Sequence, residues 1–274
     1  MTKSARLDFV RPAGIMHKSD GETSTQDETV RDVLLVALTV ASGAVDAISY
    51  FGLGKIFSAF MTGNIVYLGF GIAQIEGPGA IPVISALSTF AAGSYLGLRI
   101  TTLRSKESGP WPPAMTVLLT LVAIAESASL AVWLATTGHP PTAGCDVLIA
   151  LYSLAMGIQT AAVRSLGVQG VFTTAGTFTL VALTGTFAGS RSKAEIPRLT
   201  GVFVGLVAGA VGGGLLLLHA RSYAPLLPLV ITVLVIASGR LMARRTSGVV
   251  DYQRLSTGRQ PVLDGTLDEA ERRR

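Results

Sequence analysis

Eight apolar stretches dominate this chain, and together they hold only two formally charged side chains. The stretches cover 33–51, 56–75, 80–98, 114–135, 147–163, 171–190, 199–218 and 224–239, and the two charges are Asp46 and Glu126. A helix that crosses the hydrocarbon core of a bilayer needs about 20 mostly apolar residues. Soluble helices of that length carry a polar stripe at helical period, and these do not. The pattern specifies an all-α integral membrane protein, a helical bundle whose first partner is the lipid bilayer. Charged residues make up 14% of the chain, well below the roughly 25% usual in soluble domains. Glycines and other small residues are frequent within the stretches, as close helix contact in lipid requires.

The charges are segregated to the ends and the short loops. Residues 1–31 read as a polar, flexible cytoplasmic tail with no apolar core of a signal peptide. Residues 243–274 read as a second charged cytoplasmic tail, which leaves 32–242 as the membrane domain. The net charge of +5 does not point to nucleic acid, because Lys and Arg flank apolar runs as the positive-inside rule places them. Cys145 is the single cysteine, and His17, His139 and His219 show no metal-ligand spacing. No metal and no cofactor are expected. Gly212–Gly214 lies inside an apolar run with no Lys-Ser/Thr after it, so it is not a phosphate-binding loop. His139 and Cys145 are the one nucleophile–base pair near in sequence, and nothing orients them. The chain is therefore not read as an enzyme.

Shifting the sequence by 113 residues lays 32–73 on 145–186 without a gap, with Leu53-Gly54 on Leu166-Gly167 and Gly63 on Gly176. Asp46 then falls on Gln159, and Asn64 on Thr177. A shift of 116 pairs Gly93 with Gly209 and Gly97 with Gly213. These matches define two structural repeats, about 32–136 and about 145–242. Loop charge sets their relation. Arg99, Arg104 and Lys106, the stretch with Arg191, Lys193 and Arg198, and the C-terminal tail share one face only if the chain makes six net crossings. Eight hydrophobic segments then require some to be broken or re-entrant. Each repeat makes an odd number of crossings, so the second enters upside down, as in many secondary transporters. Eight full crossings with parallel repeats are the competing arrangement. Break points are supplied by Gly52, Gly54 and Gly63 in the first repeat and by Gly167 and Gly176 in the second.

The run Gly43-Ala-Val-Asp46-Ala-Ile-Ser-Tyr50, then Gly52-Leu-Gly-Lys-Ile-Phe57 and Met61-Thr-Gly-Asn64, resembles the YoaK-like membrane proteins, the family also called DUF1275. The resemblance continues through Gly157-Ile-Gln159 to Thr177 and covers roughly 31–242. It implies a multi-spanning bacterial inner-membrane protein of about six spans, of a kind often labelled a permease. The second half departs from the pattern at Thr174-Ala175-Gly176-Thr177, which puts any family role of that second threonine in doubt.

An acid inside a membrane span costs about 2.5–3.5 kcal/mol at the centre on insertion scales and faces protein or water. Ser42, Asp46, Ser49 and Tyr50 share one helix face. They read either as an ion or substrate site or as a hydrogen-bonded joint between helices. Thr62 and Asn64 read either as lining that site or, for Asn64, as capping a broken helix. Glu126 reads as a second titrating acid or as the partner of a base such as Arg164 or Arg240. Gln159 and Thr177 would face Asp46 and Asn64 across the repeat interface. The function read from this set is secondary transport of an unidentified small solute, proton- or cation-coupled through an intramembrane carboxylate. The alternative is a non-catalytic membrane scaffold or sensor. The expected location is the inner (plasma) membrane, with several passes and both termini cytoplasmic.

Overall fold

The computed structural model describes residues 17–104, 111–168, 174, 176–189 and 192–257. The described residues form eight α-helices and two 3-10 turns, with no strand among them. The helices are α1 His17–Gly52, α2 Met61–Ile72, α3 Ala80–Leu103, α4 Pro113–Ala135, α5 Thr142–Ser165, α6 Gly176–Phe187, α7 Ile196–His219 and α8 Leu226–Thr257. The turns are Lys193–Glu195 and Arg221–Tyr223. Six helical segments are long and apolar enough to cross a membrane: Gln26–Gly52, Ala80–Leu103, Pro113–Ala135, Thr142–Ser165, Ile196–His219 and Arg221–Arg245. The two that are not, α2 and α6, have 12 residues each. At 1.5 Å per residue each reaches about 18 Å, against a hydrocarbon core of about 30 Å.

Local chemistry explains the helix ends. Pro113 opens α4 at a position where a missing N–H costs nothing. Gly54 (φ 100°) and Lys55 (φ 63°) reverse the chain after α1, and Thr137 and Gly138 do so after α4. The outer edges differ from the sequence expectation. Helix α1 already starts at His17 and α8 runs on to Thr257. Residues 17–31 and 243–257 are thus helical rather than tail. The boundaries at 31/32 and 242/243 mark a change of polarity, and no proline interrupts either helix there. The outermost tails, 1–16 and 258–274, lie outside the described residues, as do Lys106 and Arg191 of the basic loops.

The two halves of the chain interlock. Helix α1 packs on α7 and α8, and α5 packs on α3 and α4. The first helix of each half is therefore held by the last two spans of the other. Helices α1 and α5 form the centre, with 67% of the apolar window buried in each, whereas α3 and α7 bury 22% and 28%. The outer faces carry Ile81, Ile84 and Leu96 on α3, and Val204, Val211 and Leu215 on α7, all exposed. Those side chains meet lipid.

Close backbone approach joins the central pairs. A Cβ on Gly43 would strike the Leu206 carbonyl, and one on Gly209 would strike the Val40 carbonyl. In the other pair, a Cβ on Gly93 would strike the Leu154 carbonyl, and one on Gly157 the Phe90 carbonyl. Val36 meets Gly205, Val40 meets Gly209 and Ala44 meets Gly213, so α1 and α7 run parallel. Where α7 begins, Arg198 also lies 3.6 Å from Asp32 of α1.

These contacts predict a sharp contrast between glycines of one helix. Gly209→Ala forces α1 and α7 apart and should cost about 1–3 kcal/mol, as overpacked cores do. Gly214→Ala, with nothing within 4 Å, should be neutral or stabilise by up to about 1 kcal/mol through helix propensity. Thermal unfolding of both variants in one detergent checks the difference.

Candidate functional site

After α1 ends, the chain turns back alongside it. Leu53 N–H donates to Ser49 O (3.0 Å) and Lys55 N–H to Tyr50 O (2.9 Å), closing the helix. The following segment, 56–60, is not helical. Its backbone returns to the level of Asp46, six residues and about 9 Å back along α1 from Gly52. There Asp46 Oδ1 accepts from the N–H of Ser58 (2.9 Å) and of Ala59 (2.7 Å). Asn64 holds the preceding residue, Phe57. Its Oδ1 accepts from Phe57 N–H (3.1 Å) and its Nδ2 donates to Phe57 O (2.6 Å). Ser49 and Ser58 share a hydrogen bond between hydroxyls (2.6 Å). Three successive N–H groups that no helix serves are thus each satisfied by a side chain, as buried non-helical backbone demands.

Aromatic rings cover this clamp. Phe57 lies between Tyr50 (centroids 5.0 Å, planes 24° apart) and Tyr67 (6.2 Å, 6°), with Phe60 edge-on at 5.3 Å. The cover explains two of the glycines assigned to the break. Gly63 sits inside α2, not in the break; a Cβ there would come within 2.7 Å of the Phe60 ring. Gly52 is the last residue of α1, and a Cβ on it would come within 2.8 Å of the buried Trp133 ring. Both are glycine for space, and the chain reversal falls on Gly54 and Lys55 instead.

Other expected members stand apart from the clamp. Ser42 is buried one turn below Asp46, and its hydroxyl has no partner. Thr62 is exposed on the first turn of α2. Asn64 does not cap α2, because the capping position is Phe60, with no side-chain bond. Gln159 and Thr177 do not face Asp46 and Asn64. Gln159 Nε2 donates to Leu38 O (3.2 Å), eight residues and about 12 Å along α1 from Asp46. Thr177 is exposed on α6, which packs on α7 while α2 packs on α3.

The second half ends its first helix in a comparable way. Gly167 (φ 65°) terminates α5, and Gly176 is the first residue of α6. Thr174 returns to bond Thr160, hydroxyl to hydroxyl at 3.1 Å. Residues 169–173 and Ala175 of this second break lie outside the described residues. Thr160, Thr174, Ser58 and Phe57 were not singled out from sequence. A threonine in an apolar run carries little signal, and Phe57 contributes its backbone, which no composition reveals.

Glu126 belongs to a different place. It is fully buried on α4, and neither carboxyl oxygen has a hydrogen-bond partner. It does not pair with Arg164 or Arg240, whose side chains are exposed. Its polar neighbours are Thr232 of α8 and Tyr152 of α5. Among the described residues no three His, Cys, Asp or Glu side chains come together as a metal site would need.

Six apolar helices long enough to span, two half-length helices and a loop folded back on a half-buried acid define a multi-pass membrane protein. The family profile described as "Protein of unknown function (DUF1275)" matches residues 34–238, and the chain belongs to that family. It is also 37% identical over 155 residues to the UPF0700 transmembrane protein YoaK of Bacillus subtilis (strain 168). That match spans 56% of this chain and 65% of the relative, so the chain matches a little under two thirds of its length. No solved structure matches.

The clamp makes opposite predictions for two changes at one residue. Asp46→Ala leaves two buried N–H donors unpaired, each costing about 1–3 kcal/mol. Asp46→Asn keeps an acceptor oxygen. Amide hydrogen exchange of the segment around 57–60, measured in lipid nanodiscs, should accelerate strongly in the alanine variant and only slightly in the asparagine variant.

Proposed function

We propose that this protein is a secondary transporter, a permease for a small solute, seated in the cell membrane with both termini on the cytoplasmic face. The observation that carries the reading is the re-entrant segment at 56–60, held by Asp46 and Asn64 at membrane depth. Irregular backbone at that depth is tolerated only where it is buried in protein or lines a water-filled cavity, and broken helices form the sites of many transporters. Asp46 keeps part of its surface accessible, which suits a carboxylate at the edge of such a path. The reading assigns no catalytic residue.

Recurring contacts support an inverted repeat within this reading. The Gly43 contact with Leu206 and Ala210 recurs as Gly157 with Phe90 and Ser94. The Gly209 contact with Val40 and Ala44 recurs as Gly93 with Leu154 and Ile158. The register is 114 residues for α1 and α5, and 116 for α3 and α7. The 113-residue shift read from sequence is thus one residue short, because sparse identities in apolar helices do not fix register. In the corrected register Thr160, not Gln159, stands where Asp46 stands. The hydroxyl pair Thr160–Thr174 then takes the place of the carboxylate clamp, and only one half carries an acid.

The scaffold or sensor reading has one observation in its favour: the Asp46 and Asn64 side chains are already engaged with the loop backbone. Uptake separates the two. The protein is reconstituted in liposomes, a proton gradient is imposed, and amines, amino acids, sugars and carboxylates are offered in turn. Transport predicts that one class accumulates, and that Asn64→Ala cuts its uptake at least about tenfold, the equivalent of about 1.4 kcal/mol. Uptake left unchanged by both Asn64→Ala and Asp46→Asn rejects the site. Absence of uptake for every class favours the scaffold.

A further inference from the structure

Three buried polar side chains meet between α4, α5 and α8 without hydrogen-bond partners. They are Glu126 (both carboxyl oxygens), Tyr152 (phenol) and Thr232 (hydroxyl), each fully buried. Buried polar atoms are bonded in the large majority of cases, so several orphans in one place need an explanation. Thr232 lies next to the Glu126 carboxyl, and Tyr152 is close enough to feel its charge.

Among the described residues no cation compensates the acid. The described basic side chains on the helices around it, Arg99 of α3, Arg164 of α5 and Arg240, Arg244 and Arg245 of α8, are exposed. Arg221, in the turn beside α4, donates to Gly138 O (2.7 Å) and lies over the Trp133 ring at 5.6 Å, seven residues from Glu126. Among the described side chains, the other titratable groups on these helices are Tyr95 of α3, exposed, and Cys145 and Asp146 near the start of α5, six residues or more before Tyr152. An ionised carboxylate left alone in such surroundings is prohibitively costly.

One proton removes the uncompensated charge. A carboxylate only accepts hydrogen bonds, whereas a carboxylic acid also donates one. We infer that Glu126, flanked by Thr232 and Tyr152, is a proton-binding site separate from the Asp46–Asn64 clamp. Proton uptake forms the O–H bond and removes the carboxylate charge. Release returns the proton to water. Asp46 already accepts two backbone hydrogen bonds and is committed to the loop. Glu126 is the acid that is free to carry a proton. Its role as the coupling group rests on the transport reading; its occupancy by a proton does not.

Infrared difference spectroscopy of the full-length protein in lipid nanodiscs, with no solute added, tests this. The expected result is a carbonyl stretch of a protonated carboxylic acid that moves on transfer to heavy water. It should vanish in Glu126→Gln and survive in Asp46→Asn. Thr232→Val keeps the acid and guards against a misfolded Glu126→Gln; it should shift the band. A band unchanged in Glu126→Gln, one that never responds to heavy water, or one abolished by sodium ions at constant pH overturns the proposal. Failure of every uptake assay with the band intact would reject transport and leave the proton site standing.

Discussion

Everything distinctive about this molecule depends on how it satisfies backbone N–H and C=O groups that lipid cannot serve. Six spans do so by being helices. The segment after α1 does not, and the chain borrows side chains instead. Asp46 supplies an acceptor for two donors, and Asn64 matches the donor and the acceptor of one residue, Phe57. Because Asp46 comes from α1 and Asn64 from α2, the clamp also decides where α2 begins and how the half-length helix is presented. Phe57, held by its backbone, brings its ring between Tyr50 and Tyr67 and so closes the assembly.

The clamp is anchored in the most tightly packed part of the protein. Asp46 sits on α1 only a few residues from Gly43 and Ala44, where α1 and α7 touch backbone to backbone. In lipid, apolar burial gives helices little reason to associate, so such contacts carry the packing. The interlocked arrangement means that moving α7 against α1 also moves the partners of the second half. A loop fixed to α1 and a half-helix resting on α3 therefore sit on elements that are both braced by the second half of the chain.

Much of this was legible in the sequence for a physical reason: lipid penalises polarity so strongly that spans and their few polar exceptions stand out. The six spans, the embedded acids and a broken unit near 52–64 all follow from that penalty. What was hidden obeys other rules. Gly63 looked like a break and is helical, because ring packing and chain reversal both call for glycine. The partner of Asp46 turned out to be the backbone of Ser58 and Ala59, which carries no mark in the sequence. Tyr152 and Thr232 read as ordinary helix residues, since a single hydroxyl in a span has many uses. The helical character of 17–31 was masked by its polarity, which distinguishes water from lipid but not helix from coil.

The central claim is that the segment 56–60 is a polar-clamped, re-entrant element reached by water from one side of the membrane. The most direct measurement is thiol labelling of single cysteines placed at Lys55, Phe57 and Phe60 in a Cys145→Ser background. A membrane-impermeant reagent is applied to each face of sealed vesicles in turn, with Leu96 on the outer face of α3 as the lipid control. The account predicts labelling at Lys55 and Phe60 from the same single face, and none at Leu96. Labelling of Lys55 and Phe60 from opposite faces would show that the segment crosses the membrane, and would contradict it.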